Sequence, residues 1–321
     1  MTRAYNSFAR VANGVYRFTR TSTRAPSGPR VTLVGGVHGN ERIGALVLDA
    51  VRLSLLHADG SAPLLSPSAS VTLVYANERA LRIGTRGSSA HADLNRCFSS
   101  DVLDGDGGPY EFQRARELAP LFAESDIMID LHSTNKPSLP FVRIAGHAQG
   151  IARHTEQLAA RLPCSILLHD PKFLLADGKV ALTDEYVGAN GGLGVCFESG
   201  VATDLSREKV ESITQSIWGI LTDEVQAVES PGRWSACSHQ APKRFQDVYE
   251  ITQVFKLTEK GFRWADGVGE SNFQRVPAGQ PIGFVGTDPF TVDYESFIVF
   301  PKVAHLWKIG SPVGWLTKKV K

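Results

Sequence analysis

The sequence predicts an α/β fold: a mixed, mostly parallel sheet flanked by helices, with a smaller all-β part at the C-terminal end. Three observations carry this reading. Over the first two-thirds of the 321 residues, short apolar runs alternate with segments of helical spacing. The runs are continuously apolar, as strands covered on both faces should be. From about Ser230 the character changes, because Ser230-Pro231-Gly232 and Ser238-His239-Gln240-Ala241-Pro242 punctuate the chain and only strand-like pieces follow.

Taken in order, 14–19 alternates as a strand does, and Pro26-Ser27-Gly28-Pro29 reads as a turn. A buried strand over 31–37 runs into Gly35, Gly36 and Gly39, which clear side chains where the chain must turn. Glu41 then opens a helix with Ile43, Leu46, Val47, Ala50 and Val51 at helical spacing. Further strands are expected over 71–75, 127–131, 165–168 and 193–197. Helices are expected over 110–122, 151–161 and 205–228, the last with Asp204 as candidate N-cap and Glu208 soon after. Strands over 248–255, 261–265, 281–285 and 296–300 make up the β part. At about one domain per 150 residues, the expected division is an α/β domain over 1–229 that carries the chemistry and a β domain over 230–321.

Lysine and arginine number 34 against 33 aspartates and glutamates, so no large basic field points to a nucleic-acid or membrane-surface partner. No apolar run approaches the ~20 residues of a membrane helix, and a soluble chain is expected. Cys97, Cys164, Cys196 and Cys237 form no Cys-x-x-Cys pair, which fits a reducing compartment and a cytoplasmic location. The segment before Glu41 has no acidic residue and carries Arg3, Arg10, Arg17, Arg20, Arg24 and Arg30, so an organelle address is the open alternative. A homo-oligomer is left open as well.

Gly35-Gly36-Val37-His38-Gly39-Asn40-Glu41 sets an imidazole and a carboxylate three residues apart, between a strand end and a helix start. That is the usual site location in open α/β sheets. Zinc takes both ligand types, and a catalytic zinc uses three protein ligands plus water, so a third ligand must lie elsewhere. His132 closes the run Asp126-Ile127-Met128-Ile129-Asp130-Leu131-His132 and would emerge at the same sheet edge. Asp130, two residues back on the same strand face, can orient that imidazole. A third run ends in Glu198, placed to take a proton from water and deliver it to a leaving amine. Arg86 can steady an oxyanion, and Asn95 with Arg96 can anchor a substrate carboxylate. Each residue also has a plain reading as a loop or satisfied core group. Their coincidence at strand ends favours one zinc site per chain.

With these motifs the chain resembles the aspartoacylase and succinylglutamate desuccinylase family, zinc amide hydrolases related to the metallocarboxypeptidases. The resemblance rests on Gly36-Val37-His38-Gly39-Asn40-Glu41, Asp93-Leu94-Asn95-Arg96, Tyr110-Glu111-Phe112-Gln113-Arg114-Ala115, Asp130-Leu131-His132 and Phe197-Glu198-Ser199-Gly200, in matching order across most of the first 200 residues. It implies a zinc carboxypeptidase-like fold with zinc on His38, Glu41 and His132. It also implies Glu198 as general base and acid, Arg86 polarising the scissile carbonyl, and Asn95 with Arg96 gripping the substrate's carboxylate. A β domain narrowing the entrance belongs to the same resemblance.

The departures bear on substrate. Relatives carry a Tyr and an Arg shortly before the catalytic Glu, but here that stretch reads Ala181-Leu182-Thr183-Asp184-Glu185-Tyr186-Val187. Asp184 and Glu185 are expected to welcome an amine and repel a second carboxylate, with simple solvation of both as the plain alternative. A tyrosine expected late in the β domain gives way to Val303-Ala304-His305-Leu306-Trp307, with His305 or Trp307 as candidates for the pocket, and the Pro-containing loop 133–141 is expected to shape the acyl site. The expected activity is zinc-dependent hydrolysis of the linear amide bond of a small-molecule N-acyl amino acid or related N-acyl compound. Alternatives are a metallocarboxypeptidase or ester hydrolase acting on a longer substrate, and a non-catalytic metal- or ligand-binding protein, in which Glu198 and Arg86 would have no purpose.

Overall fold

Strands β1 (Asn6–Ala12), β2 (Val15–Arg20), β3 (Arg30–Gly35), β4 (Ser70–Tyr75), β5 (Ile127–Thr134), β6 (Phe141–Ala145), β7 (Ile166–Asp170) and β8 (Leu193–Val201) stand in the order β1-β2-β4-β3-β5-β8-β6-β7. The computed structural model describes residues 6–20, 29–56, 70–90, 92–146, 149–222, 226–227, 234–235 and 245–321. Pairing is parallel from β4 through β3 and β5 to β8, and again between β6 and β7. It is antiparallel at β1–β2, β2–β4 and β8–β6, so the sheet is mixed. Four later strands, Asp247–Lys256, Pro312–Lys319, Ser296–Val299 and Gln274–Val276, continue the same sheet beyond β7. The first of them pairs with β7 in parallel, Val248 opposite Leu167. Phe262–Trp264, Gly283–Val285 and Asp288–Phe290 make a small sheet of their own.

Seven helices among the described residues flank the large sheet: α1 (Ile43–Leu56), α2 (Glu78–Ile83), α3 (Ser100–Leu103), α4 (Tyr110–Ala123), α5 (Gln149–Ala159), α6 (Thr183–Ala189) and α7 (Arg207–Thr222). The two sheet faces bury different partners. Val31, Leu33, Ile127, Ile129, Val195 and Phe197 pack with α1, α5 and α7 through Val47, Val51, Leu158, Ile213 and Ile217. Each such side chain contributes about 1.5–3 kcal/mol on burial, which is why these helices hold that face. The alternate positions Val34, Val74 and Met128 meet α4 and α6 through Leu118, Phe122 and Val187. Towards its carboxyl ends this second face turns polar. Period-two alternation puts Asp130 and His132 there from β5, and Cys196 and Glu198 from β8. The parallel register then sets Asp130 beside Cys196 and His132 beside Glu198.

The elements outside the sequence expectation include β1, α2, α3, β6, α6 and the strands Gln274–Val276, Asp288–Phe290 and Pro312–Lys319. In β6 the charged Arg143 breaks an apolar run that is nevertheless buried along its whole length. In α6 two carboxylates that read as solvated are turned inward. The helix expected over 205–228 stops at Thr222, because Gln226–Ala227 is extended and pairs with Trp234–Ser235. The expected boundary between 229 and 230 lies outside the described residues. No helix among the described residues is long and apolar enough to cross a membrane.

Candidate metal and catalytic site

His38 lies in the turn between β3 and α1, Glu41 two residues before α1, and His132 near the end of β5. One ligand atom from each falls within 4.8 Å of the others, and all three side chains are buried. His38 Nδ1 is 2.8 Å from Glu41 Oε1, and His132 Nδ1 is 2.9 Å from Glu41 Oε2. Both Nε2 atoms face carboxylates instead, at 2.9 Å from Asp93 Oδ1 and 2.9 Å from Asp130 Oδ2. Each ring has a carboxylate oxygen at both nitrogens, and a metal taken on the two Nδ1 atoms would leave each Nε2 its proton to donate to Asp93 or Asp130. Three electron-rich groups thus converge on one point.

That convergence calls for a positive charge. His38 Nδ1 is buried and makes no hydrogen bond despite its short contact with Glu41. Burial opposes a charge on His132, but Asp130 and Glu41 outweigh it and hold the imidazole well above its ordinary range. Burial likewise opposes the Glu41 carboxylate, yet His38 and His132 keep it well below the usual one. A cation on these atoms, a proton or a metal ion, resolves the arrangement, and two imidazoles with one carboxylate are a donor set for a catalytic metal with an open position.

The surrounding groups fix this centre. Asp93 gathers three of them, because Oδ1 accepts from His38 Nε2 and from the Asn95 N–H at 3.0 Å while Oδ2 accepts from Arg86 Nε at 3.2 Å and Nη2 at 2.9 Å. Arg86 Nη1 sits 3.4 Å from Glu41 Oε1 and is the guanidinium nitrogen not taken by Asp93. The loop bearing Arg86 is pinned by Glu111, fully buried on α4, which accepts from the Ser88 N–H at 2.6 Å, the Ser88 hydroxyl at 2.7 Å and Asn77 Nδ2 at 3.2 Å. Asn95 is buried with its Nδ2 3.5 Å from His132 Nε2, and Arg96 Nη1 donates to the Asn95 carbonyl at 2.6 Å. Glu198 is 7% exposed, its Oε2 has no partner, and burial pushes its carboxyl up to about 7. From the C-terminal β region, Lys302 feels Arg86 and Arg96. Burial first, then these two cations, draw its amine down to about 8.

Two expected substrate contacts are not brought to the site. Asp184 and Glu185 are 0% exposed and bind Arg143 of β6, with Nη2 donating to Asp184 at 2.8 and 2.9 Å and Nη1 to Glu185 at 2.8 Å. Glu185 Oε2 also accepts the N–H groups of Ala181 and Leu182. They neutralise an internal arginine and have no oxygen to offer an amine. His305 is exposed, and Trp307 packs on Phe262 and donates to the Lys302 carbonyl at 2.9 Å. The loop after β5 is tied to the C-terminal β region by Asn272, whose N–H donates to the Pro137 carbonyl at 2.9 Å and whose Oδ1 accepts from the Phe300 N–H at 2.7 Å. Asp93 and Glu111 stand inside motifs visible in the sequence, though their contacts there were not, and Lys302 has no sequence signal.

Close packing supports the His38 turn. A Cβ on Gly39 would lie 2.0 Å from the Ala80 carbonyl carbon in α2, and the Gly39 N–H reaches the Arg86 carbonyl at 3.4 Å. Gly39→Ala must therefore part α2 from the turn. A loss of about 1–3 kcal/mol in denaturant unfolding is expected from the overpacking, together with weaker metal binding in a titration; an unchanged variant on both counts would mean the turn adapts freely.

A family model, the succinylglutamate desuccinylase/aspartoacylase catalytic domain, matches residues 27–221. A probable aspartoacylase of Parasynechococcus marenigrum is 31% identical over 147 residues, covering 44% of this chain and 45% of the relative. The human N-acyl-aromatic-L-amino acid amidohydrolase (carboxylate-forming) is 33% identical over 153 residues, covering 44% and 46%. The chain spans about half the length of the curated relatives it matches. Among solved structures, the succinylglutamate desuccinylase from Chromobacterium violaceum shares the fold with a TM-score of 0.72 at 18% identity, over 98% of this chain and 91% of that one. Murine aminoacylase 3 does so with a TM-score of 0.63 at 20% identity, over 93% and 97%. With the catalytic-domain match running from before β3 to the last turn of α7, this chain belongs to the succinylglutamate desuccinylase/aspartoacylase family.

Proposed function

We propose that this protein is a zinc-dependent hydrolase that cleaves the amide bond of a small N-acyl amino acid or related N-acyl compound, with one zinc per chain. His38, Glu41 and His132 would hold the metal. The observation that carries the reading is the convergence of two imidazole Nδ1 atoms on the Glu41 carboxylate, with the unpartnered Glu198 carboxylate on the adjacent strand. Relatives named as aspartoacylases and as an N-acyl-aromatic-L-amino acid amidohydrolase support the substrate class. Bound there, zinc supplies Lewis-acid polarisation and a water acidified to about pKa 7.

The chain's own residues do the rest. Glu198 takes the proton of the attacking water on its free Oε2 and returns it to the departing nitrogen. Arg86, braced by Asp93, offers Nη1 to the oxygen that gains charge. Asn95 and Arg96 hold the substrate's carboxylate. With Asp184 and Glu185 internal, the charged side chains proposed to bind the substrate, Arg86 and Arg96, are cationic, which suits an anionic N-acyl amino acid and removes the reason to expect a basic one. The β part over 230–321 is proposed as a separate domain covering the entrance, supported by the Asn272 tie and by Lys302.

The test is metal analysis of the purified protein with a hydrolysis screen of N-acetyl, N-succinyl and N-formyl amino acids bearing acidic, neutral, basic and aromatic side chains. Stoichiometric zinc and turnover of at least one member, abolished by chelation, is expected. Turnover of peptides or esters alone favours the carboxypeptidase or esterase reading. Zinc without any turnover favours a binding protein.

A further inference from the structure

Thr183 opens α6, is fully buried, and sends its two donors to two different parts of the site. Its hydroxyl donates to Asp130 Oδ2, the same oxygen that accepts from His132 Nε2. Asp130 Oδ1 is buried without a partner, so beyond His132 the hydroxyl of Thr183 is the side-chain donor that sets the rotation of this carboxylate. The hydroxyl oxygen also lies 3.4 Å from Asn95 Oδ1, with its one proton spent on the shorter contact to Asp130, while the backbone N–H of Thr183 donates to the same Oδ1 at 3.2 Å. That bond fixes the Asn95 amide with its NH2 group towards His132. With a metal on Nδ1, His132 Nε2 gives its proton to Asp130, and the Asn95 NH2 then finds no acceptor there and keeps its donors for a ligand.

The first turn of α6 is well placed to act as such a reference point. Arg143 grips Asp184 and Glu185 from β6. On β8, a Cβ at Gly194 would lie 2.1 Å from the Asp184 carbonyl oxygen, so helix and strand meet backbone to backbone with no side chain between them. Leu182, just before Thr183, has φ −89° and ψ 160°.

We propose that Thr183 is the positioning residue that sets the orienting carboxylate of metal ligand His132 through its hydroxyl and the substrate-binding amide of Asn95 through its N–H. This rests on the zinc amidohydrolase reading and adds to it a residue in the stretch where the chain departs from its relatives. The two donors can be removed separately. Thr183→Val keeps the N–H and the shape but loses the hydroxyl. Thr183→Pro loses both, and the extended backbone of Leu182 together with the first helical position accommodates proline.

Zinc affinity is read by competition with a chromogenic chelator, and kcat and KM on zinc-saturated protein. Thr183→Val is expected to bind zinc about 10- to 100-fold more weakly, as loss of support behind a metal ligand does, with KM unchanged once zinc is saturating. Thr183→Ser, which retains the hydroxyl, restores parental zinc affinity. Thr183→Pro shows the same zinc defect and raises KM about fivefold or more, the worth of one hydrogen bond. Parental zinc affinity in Thr183→Val, or a defect in Thr183→Ser as large as in Thr183→Val, overturns the hydroxyl role. An unchanged KM in Thr183→Pro overturns the N–H role. A parent that binds zinc but hydrolyses nothing refutes the hydrolase reading instead, and the chelator measurement still decides the hydroxyl role.

Discussion

Glu198→Gln is expected to bind zinc as the parent does and to hydrolyse substrate about 100- to 10,000-fold more slowly, the range a positioned general base contributes. The amide matches the carboxylate in shape and leaves the register of β8 with His132 intact. What it removes is the basic oxygen. Oε2 of Glu198 has no protein partner, and burial raises the carboxyl to about 7, so near neutral pH it takes up and releases a proton with little bias. Metal content and steady-state rates on the same samples check this, and a kcat within a few-fold of the parent at full zinc removes Glu198 from the role. A pH signature follows. Protonated Glu198 has no base to offer, so the parent's kcat/KM falls as pH drops through its pKa. A cation on the neighbouring ligands favours the carboxylate and sets that limb at or below about 7. In Glu198→Gln the limb disappears.

The largest loss of stability is expected from Arg143→Met, about 3–5 kcal/mol, the cost of breaking a buried ionic cluster from one side. Asp170, Asp184 and Glu185 all contact this guanidinium and are 0% exposed. Methionine fills much of the space but leaves three carboxylates facing one another without a cation. Burial already holds the Glu185 carboxyl above its ordinary value against the pull of Arg143, and removing that cation raises it further above the unfolded value near 4. Stability tied to such groups is fully present below the unfolded value and is lost as pH rises through the folded ones. The gap between variant and parent should therefore narrow as pH is lowered from 7 towards 4. Denaturant titrations at several pH values read both effects; equal stability at pH 7 would mean that the cluster is not ionised.

The convergence of His38, Glu41, His132 and Glu198 was legible because each of them closes or closely follows an apolar run. His38 and Glu41 follow β3, while His132 and Glu198 lie near the ends of β5 and β8, and a parallel sheet brings such positions to one edge. Helices α1, α4 and α7 were legible from their apolar spacing. Asp184 and Glu185 were not, since two adjacent carboxylates in a seven-residue helix look solvated until their partner is known. That partner, Arg143, stands 41 and 42 residues earlier in the chain, inside a strand whose pattern it interrupts. Both misreadings have one cause: a charge is internal only by virtue of a distant opposite charge, and no local pattern records the pair. Thr183 escaped for a similar reason, as its two donors act on residues 53 and 88 positions away.

The strand Asp247–Lys256 takes the free edge of β7 in parallel register, so the segment that carries Lys302 is laced into the same ladder that supports the catalytic face. The cover proposed for this part of the chain would therefore not swing away like a door on a flexible strap, because opening it would strip the N–H and C=O row of β7. Ligand exchange is then left to side chains and short turns such as those around Pro137 and Phe300. For anyone recombining family members, a join after α7 has to carry that β7 edge pairing across it, whereas a join before β7 would divide β5 from β8 and Arg143 from its carboxylates.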